Sequence, residues 1–284
     1  MKIKFVPYIL IASFAFLFLL NLFYPRKIDE PFVPLILSIT TFLFSIFVSF
    51  SISDRHKRLE ELRENDSIER SQLTLLHYHA QVFGKDFQQK MDNAIDNYLM
   101  AILDHKIWDF HKTENYVKEI HAVIISVKPT NDIQKTTYGA LLARFSDLLT
   151  ARRKTIGIIP ERLSKFEWFV ATVLPLLILA SIVLIETNSL VISIISSLLG
   201  IMIVHIMLFL FMLDNFSWKE EQRIFEPYQK TFEDIEKLRY YPEILMREKR
   251  VKNYKGKKYR VGIFPNSYPN MSGKEIKIID ETKK

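Results

Sequence analysis

Four stretches of the chain, Phe5–Tyr24, Phe32–Ile52, Trp168–Ile185 and Leu190–Leu213, contain no Asp, Glu, Lys or Arg. A bilayer hydrocarbon core of about 30 Å needs about 20 apolar residues of helix, so the pattern predicts four transmembrane helices. Between the second and third runs, polar and apolar positions alternate at helical spacing, with no Pro or Gly from Ser53 until Gly84. The second run is therefore expected to continue as one long helix. A further helix is predicted over about 86–111, where Phe87, Met91, Ala94, Ile95, Tyr98, Ile102 and Ile107 recur at helical spacing. Tyr116–Val127 fits helix or strand, because its β-branched run opposes its spacing. Lys128–Asn131 reads as a turn, and Asp132 as the cap of a helix reaching about Lys154. Pro160 fits the first turn of a helix entering the third run, and Trp218–Leu238 reads as a helix bent at Pro227. Near the C-terminus, Lys258–Phe264 and Glu275–Ile279 read as the strands of a small β-hairpin. The fold class is an all-α membrane protein, divided as 1–52 (spans one and two), 53–167 (helical insert), 168–213 (spans three and four), 214–242 (helix) and 243–284 (tail).

Charge gives the sidedness. The formal charge is +7, and 243–284 alone carries 12 basic against 5 acidic residues. Arg55, Lys57, Arg58 and Arg63 follow the second run, Arg152, Arg153, Lys154, Arg162 and Lys165 precede the third, and Lys219 and Arg223 follow the fourth. Positive flanks stay cytoplasmic. Both termini and 53–167 are thus expected inside the cell (inner) membrane of a multi-pass protein, with only Pro25–Pro31 and Glu186–Ser189 outside. Arg26 and Lys27 oppose that assignment and Asp29 and Glu30 offset them. Tyr8, Tyr24, Trp168 and Trp218 stand near run ends, as interfacial aromatics do. The basic tail suits anionic lipid headgroups, and no aromatic-basic motif accompanies it to suggest nucleic acid.

Chemistry is sparse. There is no cysteine, no glycine-rich phosphate loop and no pair of histidines at i, i+4 spacing for a metal. His77 and His79 read as surface or packing residues, and Asp92 and Asp96 as exposed carboxylates sharing a helical face. No catalytic residue, metal or cofactor is expected, and the chain does not read as an enzyme. Within the second run, Ser38, Phe42, Ser45 and Ser49 form one helical stripe. Such a stripe serves helix packing, or it lines a pore with hydroxyls and an apolar constriction at Phe42. Ser193, Ser196, Ser197 and Gly200 form a second small-residue stripe, read as a packing seam. His205 is the only histidine or charged residue inside any run, nine residues before Asp214 and thus about 13 Å deep. The same depth reaches Ser13 in the first run and Ser45 in the second, so these are intramembrane polar candidates, with His205 bonded to a serine or acting as an ion site.

The junctions Phe50-Ser51-Ile52-Ser53-Asp54-Arg55-His56, Ala151-Arg152-Arg153 with Ile159-Pro160, and Leu213-Asp214-Asn215-Phe216 resemble those of the bestrophin-like family of bacterial membrane proteins, over about residues 30–240. That family is similar in layout to bestrophins, which are pentameric anion channels whose second span lines the pore. The resemblance implies a homo-oligomer, a pentamer, passing small anions between Ser38, Phe42, Ser45 and Ser49. Bestrophins carry a dense acidic run after the fourth span as part of a calcium clasp. Here Asp214–Glu221 has scattered carboxylates only, so calcium gating is not implied. The competing reading is a non-conducting membrane protein whose cytoplasmic helices bind a signalling partner. The sidedness is testable because the chain lacks cysteine: Asn188→Cys should react with an impermeant thiol reagent on intact cells and Asn131→Cys should not. Labelling of Asn131→Cys alone reverses the assignment.

Overall fold

The structure, a computed structural model, describes residues 6–23, 32–184, 190–216, 226–247, 258–266, 268 and 270–280. The connectors 25–31 and 186–189, and Tyr24, Trp218, Lys219 and Arg223, lie outside the described residues. The chain divides into two compact units, residues 1–61 with 161–223, and 62–160 with 224–284.

The first unit contains α1 (Val6–Phe23), the first part of α2 (Phe32–Ala80), α6 (Lys165–Leu184) and α7 (Leu190–Asp214). Their Leu, Ile, Phe and Val side chains leave the backbone to satisfy its own hydrogen bonds, which is what an apolar surrounding demands. Among the described residues, α2, α6 and α7 are long and apolar enough to cross a membrane, while α1 is a shorter apolar helix. Phe44 and Val48 of α2 bury against Ile178 and Ile182 of α6, with Ile203, Ile206 and Met207 of α7 alongside. Ser193, Ser197 and Gly200 are buried on α7. A Cβ on Gly200 would lie 2.6 Å from Leu17 of α1 and 3.3 Å from Leu179 of α6, so this small stripe is where three helices approach closely.

The second unit joins the insert to the C-terminal segment. Among the described residues it holds the end of α2, α3 (Lys85–Asp104), α4 (Glu114–Ser126), α5 (Asp132–Ile158), α8 (Glu226–Asp234), α9 (Glu243–Arg247) and three strands. Gly84 adopts φ 94°, a left-handed turn that side chains disfavour, and this lets α3 fold back from α2. The helix expected to reach 111 stops at Asp104, where His105 becomes extended and bonds Ala101 O through both its backbone N and Nδ1. A 3-10 stretch follows over Ile107–Thr113. The ambiguous segment is the helix α4, because Val117, Ile120 and Ile124 share a buried face. Asn131, not Asp132, caps α5, its side chain accepting Gln134 N. Pro160 sits in a turn between helices, and α6 starts at Lys165 behind a reciprocal cap in which Ser164 and Glu167 each receive the other's backbone N–H.

His77, read as a surface or packing residue, is buried, its Nδ1 2.6 Å from Asp92. Two expectations need correction. Asp92 and Asp96 are buried rather than exposed, since α3 is enclosed by the C-terminal segment as well as by the insert. The tail is also more than a hairpin on an all-α protein. β2 (Lys258–Ile263) pairs antiparallel with β3 (Glu275–Asp280) and parallel with β1 (Tyr240–Pro242), a strand too short to show a pattern in sequence. Gln229 of α8 holds both the N–H and the carbonyl of Tyr240, at 2.9 and 2.7 Å. Arg260 grips Asp96 with two bonds of 2.6 and 2.7 Å, and Lys274 and Tyr240 Oη both donate to Asp104. Trp218–Leu238 is described only from Glu226 onward. Gly262 is fixed by this packing: a Cβ there would meet Tyr240 Cζ at 2.7 Å, on a ring that Asp104 already holds. Gly262→Ala should therefore cost about 1–3 kcal/mol. Limited proteolysis should release the C-terminal segment faster, with helix content otherwise retained.

Candidate pore face and its polar anchor

At 100° per residue, Ser38, Phe42, Ser45 and Ser49 fall within about 60° of one another around α2, and Thr40, Phe44 and Val48 fall about 90° to 170° away from the middle of that stripe. The structure follows this geometry. Thr40, Phe44 and Val48 are buried, and all four stripe residues are exposed, Phe42 to 65%. Ser38 Oγ donates to Pro34 O at 2.9 Å and Ser45 Oγ to Thr41 O at 2.6 Å. The stripe is thus not a packing seam within this chain. Ser13 is half-buried on α1, and His205 is exposed on α7. Ser45 spends its hydroxyl on its own helix rather than on His205, so the serine–histidine pairing expected from depth is absent.

At the end of the apolar part of α2 the exposed face meets a buried polar knot. Asp214, 1% exposed at the last position of α7, accepts Leu163 N at 2.8 Å and Arg55 at 3.4 Å on Oδ1, and Trp168 Nε1 at 3.2 Å on Oδ2. Its carbonyl accepts Arg58 at 3.0 Å. Arg55 also bonds Glu161 O and the Asp54 carboxylate. One carboxylate therefore joins α2, the segment before α6, α6 itself and α7. Burial, and then the neighbouring Arg55, lower the Arg58 pKa to about 10, which leaves it a cation at neutral pH. Its guanidinium lies 3.8 Å above the Phe216 ring. Phe216 has φ 48°, a left-handed conformation that costs a bulky residue of order 1 kcal/mol or more, and the contact with Arg58 offsets it where other helices end in glycine.

Beside the knot, α2 and α6 border a groove of about 560 Å³, walled by Leu43, Ile46, Phe47 and Phe50 of α2 with Val170 and Leu174 of α6. No metal-ligating cluster occurs among the described residues. In the sequence, Arg55 and Arg58 are topology flanks and Arg55 and Asp214 belong to family junctions. That they meet is not legible there, because residues 156 to 159 positions apart carry no mutual signal in one sequence.

A model of the bestrophin-like domain matches residues 6–217, which contain both the stripe and the knot. The match takes in the first helix and stops short of 218–240. Comparison with curated proteins and with solved structures gives no match. Asp214→Ala would leave Arg58 buried beside an uncharged neighbour and would strip Trp168 and the Leu163 N–H of their acceptor. The loss should be about 3 kcal/mol or more, read as a lower thermal midpoint in detergent, while exposed Glu161→Gln should melt like the unmodified protein. Equal midpoints for the two variants would remove the anchoring role.

Proposed function

The chain belongs to the bestrophin-like domain family, and on that premise we propose that it is a homo-oligomeric anion channel, a pentamer, whose second helix lines the axial path. The observation that carries the reading is the exposed stripe. Ser38, Phe42, Ser45 and Ser49 lie on the α2 face turned away from the chain's own core, and the four apolar runs carry no acidic residue to repel an anion. Hydroxyls on this face gain nothing against lipid tails and gain hydration in a water-filled path, and the Phe42 ring supplies an apolar neck that excludes water when narrow. Four membrane spans, with α1 counted despite its shortness, put both termini and the second unit on the cytoplasmic side of the cell membrane. There the basic residues of 243–284 other than Arg260 and Lys274 meet anionic headgroups. The protein acts without catalysis, and His205 faces lipid or a neighbouring copy rather than a site within this chain.

Phe42→Ala should raise chloride efflux from proteoliposomes by about tenfold if removing the ring takes about 1.4 kcal/mol off the barrier. Phe50→Ala is the control, since Phe50 is also strongly exposed, on a different face of α2, whereas Phe44 belongs to the core and its truncation would destabilise the bundle. Equal flux from the two variants, or none from verified oligomers, would return the stripe to contact between copies and favour the partner-binding reading.

A further inference from the structure

The second unit encloses a carboxyl group that none of the preceding reading uses. Glu69, on α2, is 2% exposed, and Tyr98 of α3 donates its hydroxyl proton to Glu69 Oε1 at 2.5 Å. Arg152 of α5 donates to the same Tyr98 oxygen at 2.8 Å, to Thr113 Oγ1 at 2.9 Å and to Phe110 O at 3.2 Å. Its guanidinium also lies 4.6 Å from the Phe110 ring. Tyr98 has one proton, and with Arg152 occupying its oxygen that proton can go only to Glu69. The order arginine, tyrosine, glutamate is thereby fixed. Glu69 Oε2, by contrast, has no hydrogen-bond partner among the described residues. As a carboxylate it leaves a buried charged oxygen bare, and as a neutral acid it leaves only a hydroxyl proton unmatched, which is the smaller penalty.

We propose that Glu69 is a proton-operated latch, which in its neutral form closes the junction of α2, α3 and α5 and on losing its proton favours an opened, hydrated junction. The groups around it set the direction. Burial is the dominant influence and favours the neutral form, with Asp66 on α2 acting in the same sense. Tyr98, Arg152 and Arg70 favour the anion, and Arg70 itself stacks over Tyr228 of α8. The balance lifts the Glu69 pKa from 4.5 to about 7. A carboxyl that binds its proton more tightly in the closed unit than in the open one gives stability below its ordinary pKa, and that stability declines between about pH 4.5 and 7. In the closed junction Arg152 is held by three neutral acceptors and an aromatic ring rather than by the Glu69 carboxyl itself. The inference rests on the second unit alone and stands whether or not the protein conducts.

The test is hydrogen exchange of the full-length protein in detergent, comparing wild type with Glu69→Gln at each pH so that intrinsic exchange chemistry cancels. For amides of 62–80, 85–104 and 141–158, the ratio of wild-type to variant opening should rise by about one to two orders of magnitude between pH 5 and pH 8. A flat ratio overturns the latch. Should Glu69→Gln not fold, infrared spectra of the unmodified protein take its place. A neutral carboxyl C=O band should persist at pH 6, vanish by pH 8, and titrate at higher pH in Tyr98→Phe, since that hydroxyl bonds the anion. The response to Tyr98→Phe separates Glu69 from Asp92 and Asp104, whose pKa values burial also raises. No such band at pH 6, or an unmoved midpoint in Tyr98→Phe, equally overturns it.

Discussion

One buried carboxylate organises the first unit. Asp214 collects donors from Arg55, Leu163 and Trp168, and its own carbonyl collects Arg58, so the ends of three apolar helices are bound to a single side chain. Apolar packing alone leaves helices free to slide, because in lipid the tails are as apolar as the partner helix. A buried carboxylate with three directional contacts, and a fourth on its backbone carbonyl, removes that freedom, because any shift of register leaves a charge or a donor unsatisfied. The stripe on α2 therefore faces a fixed direction, and the strained turn at Phe216 is held by the same arginine that binds the Asp214 backbone.

Much of this was legible in the sequence, and the parts that were not share a physical reason. Uncharged runs long enough for a bilayer reveal themselves one helix at a time, so α2, α6 and α7 and the stripe on α2 could be read directly. The C-terminal hairpin was legible from β-branched alternation around a turn. Pairings between distant segments were not. Asp92 and Asp96 look like surface carboxylates beside so many others, and only the folded chain brings His77 and Arg260 to them. The strand Tyr240–Pro242 was invisible because three residues make no period, and a glutamine on another helix supplies part of its pairing.

The basic tail changes character for the same reason. As composition it is a cationic arm, but Arg260 and Lys274 are committed to Asp96 and Asp104, and Tyr259 and Val261 are core. The tail is thus part of the second unit's fold before it is anything else. Among the described residues, the basic charge it still presents outward belongs to Arg247, Lys258 and Lys277.

If the stripe lines an ion path as proposed, its hydroxyls carry one further implication. Ser38 and Ser45 have already given their protons to backbone carbonyls one turn back, so what they turn outward is lone-pair density, which suits a cation better than chloride. An anion passing them meets a hydrogen donor only if each serine swings about its Cα–Cβ bond and trades the backbone bond for the ion. The exchange is nearly even in hydrogen bonds, and staggered side-chain wells make it a discrete step. The lining would then behave as a row of small torsional switches whose resting polarity is opposite to the one they take as the ion goes by.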